Sequence, residues 1–68
     1  MLREYRERKE MSQEHLAEAA GLDRSFISLV ERGIQSPNIV VMLKIATVLE
    51  VPAAELIARM ESMIRDAG

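Results

Sequence analysis

The chain has 68 residues, with no cysteine, no tryptophan and only one histidine, His15. Disulfides and thiolate metal sites are therefore excluded, and one histidine does not make a histidine-rich metal site. A chain this short rarely gains more than about 3–5 kcal/mol of net stability from its core. We therefore expect a single small domain over residues 1–68, without metal or other cofactor, supported by a partner subunit.

Long apolar runs and catalytic patterns are missing as well. No apolar stretch approaches the roughly 20 residues needed to cross a bilayer, and no secretory signal is visible, so no membrane partner is expected. The lack of cysteine fits a cytoplasmic protein. There is no nucleophile–base set and no glycine-rich phosphate loop, which argues against an enzyme and leaves no evident small-molecule ligand.

An excess of positive charge is also lacking. Nine Lys and Arg residues face eleven Asp and Glu residues, for a net charge of −2, whereas nucleic-acid binders are often basic. This balance does not exclude DNA, because only the surface that faces phosphate has to be positive. It does predict modest non-specific affinity and clear salt sensitivity.

The most informative stretch that is present is SQEHLAEAAGLDRSFISLVERG, residues 12–33. Ser12 and Asp23 are both good N-cap residues, so the stretch contains two helix starts. Small residues lie between them, and Gly21 can take the positive φ that ends a helix with a sharp change of direction. This is the spacing of a helix-turn-helix, whose second helix enters the DNA major groove.

The hydrophobic periodicity predicts an all-α fold with five helices and no strand. The predicted helices are LREYRERKE at the start of the chain, about Gln13 to Ala20, about Arg24 to Arg32, about Ile39 to Leu49, and about Pro52 to Asp66. Either Ser36 or Asn38 can cap helix 4. The residues expected to face the core in helices 1 to 4 are Leu2, Tyr5, Leu16, Ala17, Ala20, Phe26, Ile27, Val30, Ile39, Met42, Leu43, Ala46 and Leu49.

Two surfaces remain once these core stripes are assigned. Helix 3 offers an outward arc, which is the arc that a groove-binding helix presents to DNA. Its residues are Arg24, Ser25, Ser28, Leu29 and Arg32. Helices 4 and 5 carry more apolar residues than a small core needs, so we predict that the excess forms a subunit interface rather than more core. Its residues are Val41, Ile45, Val48, Met60, Met63 and Ile64.

The pattern SQ-x-x-LA-x-x-AG-LDRSFIS-x-x-ERG, followed by SP and the apolar LKIATVLEVPAAEL, resembles the lambda-repressor/Cro-type helix-turn-helix family of bacterial and phage regulators. The resemblance runs from about Leu2 to Leu56. Within that family, LDRSFIS-x-x-ERG is most similar to the small controller proteins of restriction–modification systems. The resemblance implies a five-helix, lambda-repressor-like DNA-binding domain with the helix-turn-helix at helices 2 and 3.

The resemblance also implies roles for individual residues. Those implied to contact DNA are Gln13, Arg24, Ser25, Ser28, Leu29, Arg32 and Asn38. Gln13 would contact a phosphate, and Arg32 and Asn38 would contact the DNA backbone. Asn38 is equally suited to a purely structural role as a helix cap. Arg24 and the two serines would lie nearest the base edges, with Leu29 available to a thymine methyl. Arg6 and Glu31 match a pair that forms a structural salt bridge between helices 1 and 3.

The chain departs from the family pattern at three places. Ile34 and Gln35 follow Gly33 where Lys or Arg is usual, which removes expected phosphate contacts. Glu10 replaces the usual glycine between helices 1 and 2, so that turn is expected to differ, since a left-handed non-glycine residue costs about 1 kcal/mol or more. Helix 1 begins almost at Met1, so no N-terminal arm is expected in the minor groove.

These features lead to one functional hypothesis and one alternative. The hypothesis is a sequence-specific transcriptional regulator, repressor or activator, that binds a pseudo-palindromic operator on double-stranded DNA as a homodimer, possibly as a restriction–modification controller. The alternative is an antitoxin-like or other protein-interaction module that uses its apolar helices 4 and 5.

Overall fold

The computed structural model describes the backbone of residues 2–67 and the side chains of residues 2–59 and of Glu61. Within these residues the chain forms five α-helices and no strand, which confirms the all-α prediction. They are α1 (Leu2–Arg8), α2 (Gln13–Ala20), α3 (Arg24–Glu31), α4 (Ile39–Leu49) and α5 (Ala53–Ala67). None of the helices, over the residues described, is long and apolar enough to cross a membrane.

Polar side chains begin two of these helices. The Ser12 Oγ accepts a hydrogen bond from the backbone N–H of His15 at 3.0 Å, which caps α2. Asn38 rather than Ser36 caps α4, because its Oδ1 accepts from the backbone N–H of Val41 at 2.9 Å. Asp23 holds the N-cap position of α3 in extended backbone but makes no side-chain cap bond. Its carboxylate therefore acts on α3 through its charge near the positive end of the helix.

The turn between α2 and α3 depends on the backbone of Gly21. This residue has φ of 69° and ψ of 36°, and the next N–H, that of Leu22, reaches the carbonyl oxygen of Ala17 at 2.8 Å. A Cβ at Gly21 would meet nothing within 4 Å. Glycine is therefore needed here for its left-handed conformation and not for close packing of the helices.

One apolar core joins all five helices. Leu16 of α2 and Ile27 of α3 are 0% exposed and lie at its centre, and Leu56 at 1% anchors α5 to it. The core residues are Leu2, Tyr5, Leu16, Ala17, Ile27, Val30, Met42, Ile45, Ala46, Leu49 and Leu56. The core therefore fixes the inner face of α3 and leaves the opposite face to solvent.

The orientation of α4 differs from the sequence prediction. Ile39 and Leu43, predicted in the core, are 54% and 48% exposed, whereas Ile45, predicted in the subunit interface, is 1% exposed. The buried stripe instead runs at i, i+3, i+4 and i+7 from Met42. Since α4 has so few polar residues, its sequence does not mark which side faces water, and packing against the other helices decides the rotation.

The remaining residues of the predicted interface divide into two groups. Val41 and Val48 are half-buried and pack against the chain's own core. The side chains of Met60, Met63 and Ile64 lie outside the described residues. An interface at these residues stays a prediction for both groups, whereas Ile45 is excluded from it.

The turn between α1 and α2 keeps a left-handed residue although it lacks glycine. Glu10 has φ of 55°, so the expectation that this turn would change its backbone is wrong. The turn is held by the backbone N–H of Met11, which donates to the carbonyl oxygen of Arg6 at 3.1 Å. Glu10 itself is exposed and carries the conformational strain.

We expect the substitution Glu10→Gly to raise the free energy of unfolding by about 0.5–1 kcal/mol. Relief of a left-handed non-glycine residue, about 1–2 kcal/mol, exceeds the chain entropy that glycine adds to the unfolded state, about 0.5–1 kcal/mol. Urea denaturation measures the change. The matched control is Glu18→Gly within α2, which should lose about 1 kcal/mol. A loss at both positions would contradict the prediction.

Candidate nucleic-acid interface

The outward face of α3 carries the residues that a groove-binding helix would present. Arg24 and Ser25 in its first turn are exposed, Ser28 and Leu29 are half-buried, and Arg32 at its C-terminal end is exposed. The inner residues Ile27 and Val30 are buried on the opposite side of the helix. The arc therefore points outward as predicted, and its contacts with DNA stay predictions.

Among the residues that the structure describes, the positive charges on and next to α3 have no acidic partner. On α1, Arg3 pairs with Glu7, and Lys9 just after it pairs with Glu50. Arg59 of α5 pairs with Glu4. Of the basic side chains in the described part of the chain, those with neither an ion pair nor an aromatic ring contact are Arg24, Arg32 and Lys44. Two of these three lie on or next to α3, so a chain with net negative charge still presents unpaired cations there.

A partly buried ion pair fixes α3 relative to α1. The Arg6 Nε donates to Glu31 Oε2 at 2.7 Å, and its Nη2 donates to Glu31 Oε1 at 3.1 Å, so the pair is bidentate. The side chains are 12% and 5% exposed. The remaining Arg6 nitrogen, Nη1, donates to the carbonyl oxygen of Met11 at 2.7 Å. One guanidinium thus joins α1, the α1–α2 turn and the end of α3.

Gln13, the first residue of α2, belongs to the same network. Its Nε2 donates to Glu31 Oε1 at 3.0 Å. This contact holds the Gln13 amide at the N-terminus of α2 and uses one of its two N–H donors, which leaves the other for a phosphate. The predicted phosphate contact of Gln13 is neither excluded nor established by this arrangement.

The network also sets the ionisation of Glu31. Burial opposes the charged form and alone would raise the pKa of Glu31. The hydrogen bonds from Arg6 and Gln13, together with the positive charges of Arg6 and Arg3, outweigh burial and lower the pKa below its ordinary value. Glu31 is therefore an anion in the folded protein, and the Arg6 guanidinium keeps its counter-charge.

The segment after Gly33 is tied to α3 but carries no charge. The backbone N–H groups of Ile34 and Gln35 both donate to the carbonyl oxygen of Leu29, at 3.0 and 3.3 Å. Ile34 is 61% exposed. Asn38 then caps α4, so its side-chain oxygen is used within the chain, and its side-chain amide nitrogen remains for the predicted contact with the DNA backbone.

Sequence reasoning missed two of these contacts. The bond from Gln13 to Glu31 joins residues that come together only through the tertiary fold, and no local pattern marks it. The bond from Arg6 to the Met11 carbonyl oxygen also cannot be predicted from the pattern of side chains, because its acceptor belongs to the backbone. The excess of donors on Arg6 over the acceptors that one carboxylate offers was a usable signal for a further acceptor nearby.

Comparison with known proteins decides the family. Residues 2–56 match the helix-turn-helix family, which covers α1 to the first turn of α5. The chain belongs to the Cro/C1-type helix-turn-helix family. Its members are DNA-binding regulators and not enzymes, so this chain is a helix-turn-helix transcription regulator.

Three solved structures resemble this helix-turn-helix regulator. The restriction–modification controller protein C.AhdI from Aeromonas hydrophila is 49% identical, with a TM-score of 0.78 over 81% of this chain and 80% of that one. The hypothetical transcription factor NHTF from Neisseria is 36% identical, with a TM-score of 0.77 over 91% and 74%. The SinR protein, in a complex of SinR and SinI, is 33% identical, with a TM-score of 0.78 over 97% and 73%. No curated protein sequence shows significant similarity to the regulator.

Proposed function

We propose that this helix-turn-helix regulator binds a specific pseudo-palindromic operator as a homodimer, with α3 of each copy in the major groove. The observation that carries the proposal is the outward face of α3, where Arg24 and Arg32 are exposed without an acidic partner in the described residues. Cations that the chain leaves unpaired are available to phosphate and to base edges.

Within this proposal the residues divide between reading and positioning. Arg24 reads sequence from the first turn of α3, where a groove-entering helix presents its side chains to bases, and Ser25 and Ser28 assist it. Leu29 offers an apolar contact to a thymine methyl. Phosphate contacts that set the register come from Gln13, Arg32 and Asn38.

The proposed homodimer follows from how little positive charge each copy offers. A single copy has few unpaired cations in the part that the structure describes, and the segment from Gly33 to Asn38 carries no charged residue, so its affinity for one half-site should be low. Two copies related by a two-fold axis would place their α3 helices about 34 Å apart, in successive major grooves. Coupling the two half-sites then provides the affinity that one copy lacks.

The biological role that the similarities favour is control of a restriction–modification system. The likeness to C.AhdI, itself a restriction–modification controller protein, is 49% identity over 81% of this chain. The experiment that tests this role is selection of bound sequences from random DNA, followed by a search for the selected site upstream of restriction–modification genes. Selected sites with no such location would favour a different regulon.

We expect Arg24→Ala to weaken binding to the selected operator by about 1–3 kcal/mol and to relax the base preference at one position. Titration of operator and scrambled DNA at one fixed salt concentration measures both effects. The control is Arg3→Ala, which removes an exposed cation of α1 that is paired with Glu7. Equal losses on operator and scrambled DNA would show that Arg24 contacts phosphate and does not read bases.

A protein-interaction module of the antitoxin-like kind is the second candidate. It is favoured by exposed apolar side chains on and before α4, among them Ile34 and Val40. Exposed apolar residues grouped in this way mark contact surfaces. The two candidates differ in one measurement, since a pure interaction module would select no DNA sequence from a random pool.

A further inference from the structure

The side-chain amide of Gln13 is held at one end only. Its Nε2 donates to Glu31 Oε1 at 3.0 Å, and its own Oε1 accepts no hydrogen bond among the residues that the structure describes. Gln13 is half-buried, so part of its side chain is open to solvent. The bond to Glu31 is therefore the contact that decides which end of the amide faces outward.

The charge of Glu31 makes this orientation selective. A carboxylate only accepts hydrogen bonds, so it attracts the N–H end of an amide and repels the oxygen end. A neutral side chain that both donates and accepts would take the amide in either orientation. Because the amide is planar, fixing one N–H of Nε2 also fixes the direction of the other. Glu31 thus determines where the free N–H of Gln13 points.

Arg6 removes a conflict that a carboxylate near DNA would otherwise create. An unpaired carboxylate repels phosphate, but the two bonds from Arg6, at 2.7 and 3.1 Å, leave the pair without net charge. The Glu31 side chain is also only 5% exposed. It is therefore too enclosed to meet DNA itself, and any influence on a phosphate has to pass through Gln13.

We propose that Glu31 is a positioning residue for operator binding, because it holds the Gln13 amide with its free N–H directed at a phosphate. The inference deepens the proposed function and rests on it, since it needs an operator phosphate beside the start of α2. The positive end of α2 favours an anion at the same place. An amide that was not held would lose rotamer freedom on binding and could present its oxygen, so Glu31 strengthens the contact.

The test measures operator affinity at one salt concentration in two backgrounds. One is the wild type, and the other is the double variant Arg6→Met with Glu31→Leu, which lacks the carboxylate. We expect Gln13→Ala to weaken operator binding about tenfold in the wild type but about threefold or less in the double variant, because an amide that rotates freely contributes less. Circular dichroism checks that each protein is folded.

Arg24→Ala is the matched control, because Arg24 lies on α3 and forms no ion pair with Glu31. Its loss of affinity should be the same in both backgrounds if α3 keeps its place. A smaller loss for Arg24→Ala as well as for Gln13→Ala would show that the ion pair only places α3. Equal losses for Gln13→Ala in both backgrounds would show that Glu31 does not act through Gln13. Either result would overturn the proposal.

A measurement on the wild type needs no variant. In an NMR spectrum of the side-chain amides, operator DNA should shift the Gln13 proton that is not bonded to Glu31 and leave the other proton nearly unchanged. Equal shifts, or no shift, would contradict the positioning role. A wild type that selects no operator from random DNA would overturn the proposed function itself. A regulator that selects its operator but fails these tests would lose only the role given to Glu31.

Discussion

Replacement of Glu31 by alanine is expected to lower the free energy of unfolding by up to about 3–5 kcal/mol, because it leaves the partly buried Arg6 guanidinium without its counter-charge. The carboxylate is 5% exposed and accepts three hydrogen bonds, two from Arg6 and one from Gln13. A domain of this size rarely has more than about 3–5 kcal/mol of net stability. Much of the variant should therefore be unfolded at 25 °C, as measured by circular dichroism in a urea titration.

Two controls separate the buried pair from charge effects in general. Glu7→Ala removes one partner of the exposed Arg3–Glu7 pair and should cost at most about 1 kcal/mol. The double variant Arg6→Met with Glu31→Leu removes both charges and should recover most of the lost stability, since apolar replacements of buried pairs are often neutral or better. A double variant as unstable as Glu31→Ala would show that packing, and not the unpaired charge, caused the loss.

The ion pair between Arg6 and Glu31 should also affect how the free energy of unfolding depends on pH. The pKa of Glu31 is lowered in the folded protein from an ordinary value of 4.5. Its contribution to stability is therefore complete above the unfolded pKa, and it is lost as pH falls through the folded pKa. The double apolar variant lacks this group, so its stability should fall less between neutral and acidic pH.

The second large effect is expected from truncation of Ile27, the 0% exposed residue on the inner face of α3. Ile27→Ala should cost about 2–5 kcal/mol, and the smaller change Ile27→Val about 0.5–1.5 kcal/mol, because a buried truncation loses apolar contacts and leaves a cavity. The order of the two variants, measured by the same urea titration, distinguishes a packed core position from a merely apolar one.

The control for Ile27 is Ser25→Ala, on the outward face of the same helix. Ser25 is exposed, and alanine is the better helix former, so the free energy of unfolding should stay within about 0.5 kcal/mol of wild type. Among molecules that remain folded, Ser25→Ala should weaken operator binding more than Ile27→Ala does, because Ser25 lies on the outward face of α3. If Ser25→Ala lowered the free energy of unfolding and Ile27→Ala did not, α3 would have to be rotated, with Ser25 toward the core and Ile27 toward solvent.

Much of the fold could be predicted because its helix ends carry local signals. The bounds of α2 and α4 agree with the prediction, since Ser12 and Asn38 cap their starts and Gly21 ends α2. The rotation of α4 could not be predicted. Its polar residues are too few to mark a water-facing side. The prediction therefore placed Ile45 in the subunit interface and Leu43 in the core, whereas the structure buries Ile45 and exposes Leu43.

The candidate site, like the fold, has features that could be predicted from the sequence and others that could not. The outward arc of α3 follows from its amphipathic spacing, so the exposure of Arg24 and Ser25 was predictable from the sequence alone. Which cations stay unpaired was not, because Lys9 with Glu50 and Arg59 with Glu4 meet only across the folded chain. The residue-level DNA contacts came from the family resemblance and stay predictions.

The link from Arg6 to the Met11 carbonyl and to Glu31 has a consequence for the thermodynamics of recognition. The Arg6 guanidinium joins α1, the α1–α2 turn and α3, and Gln13 joins α2 to the same Glu31 carboxylate, so the three helices hold their relative orientation before any ligand arrives. The conformational entropy of aligning α3 with α2 is thus lost during folding, and DNA association does not have to lose it again. Affinity for a half-site, although limited by charge, is then not reduced further by the disorder of the reading helix.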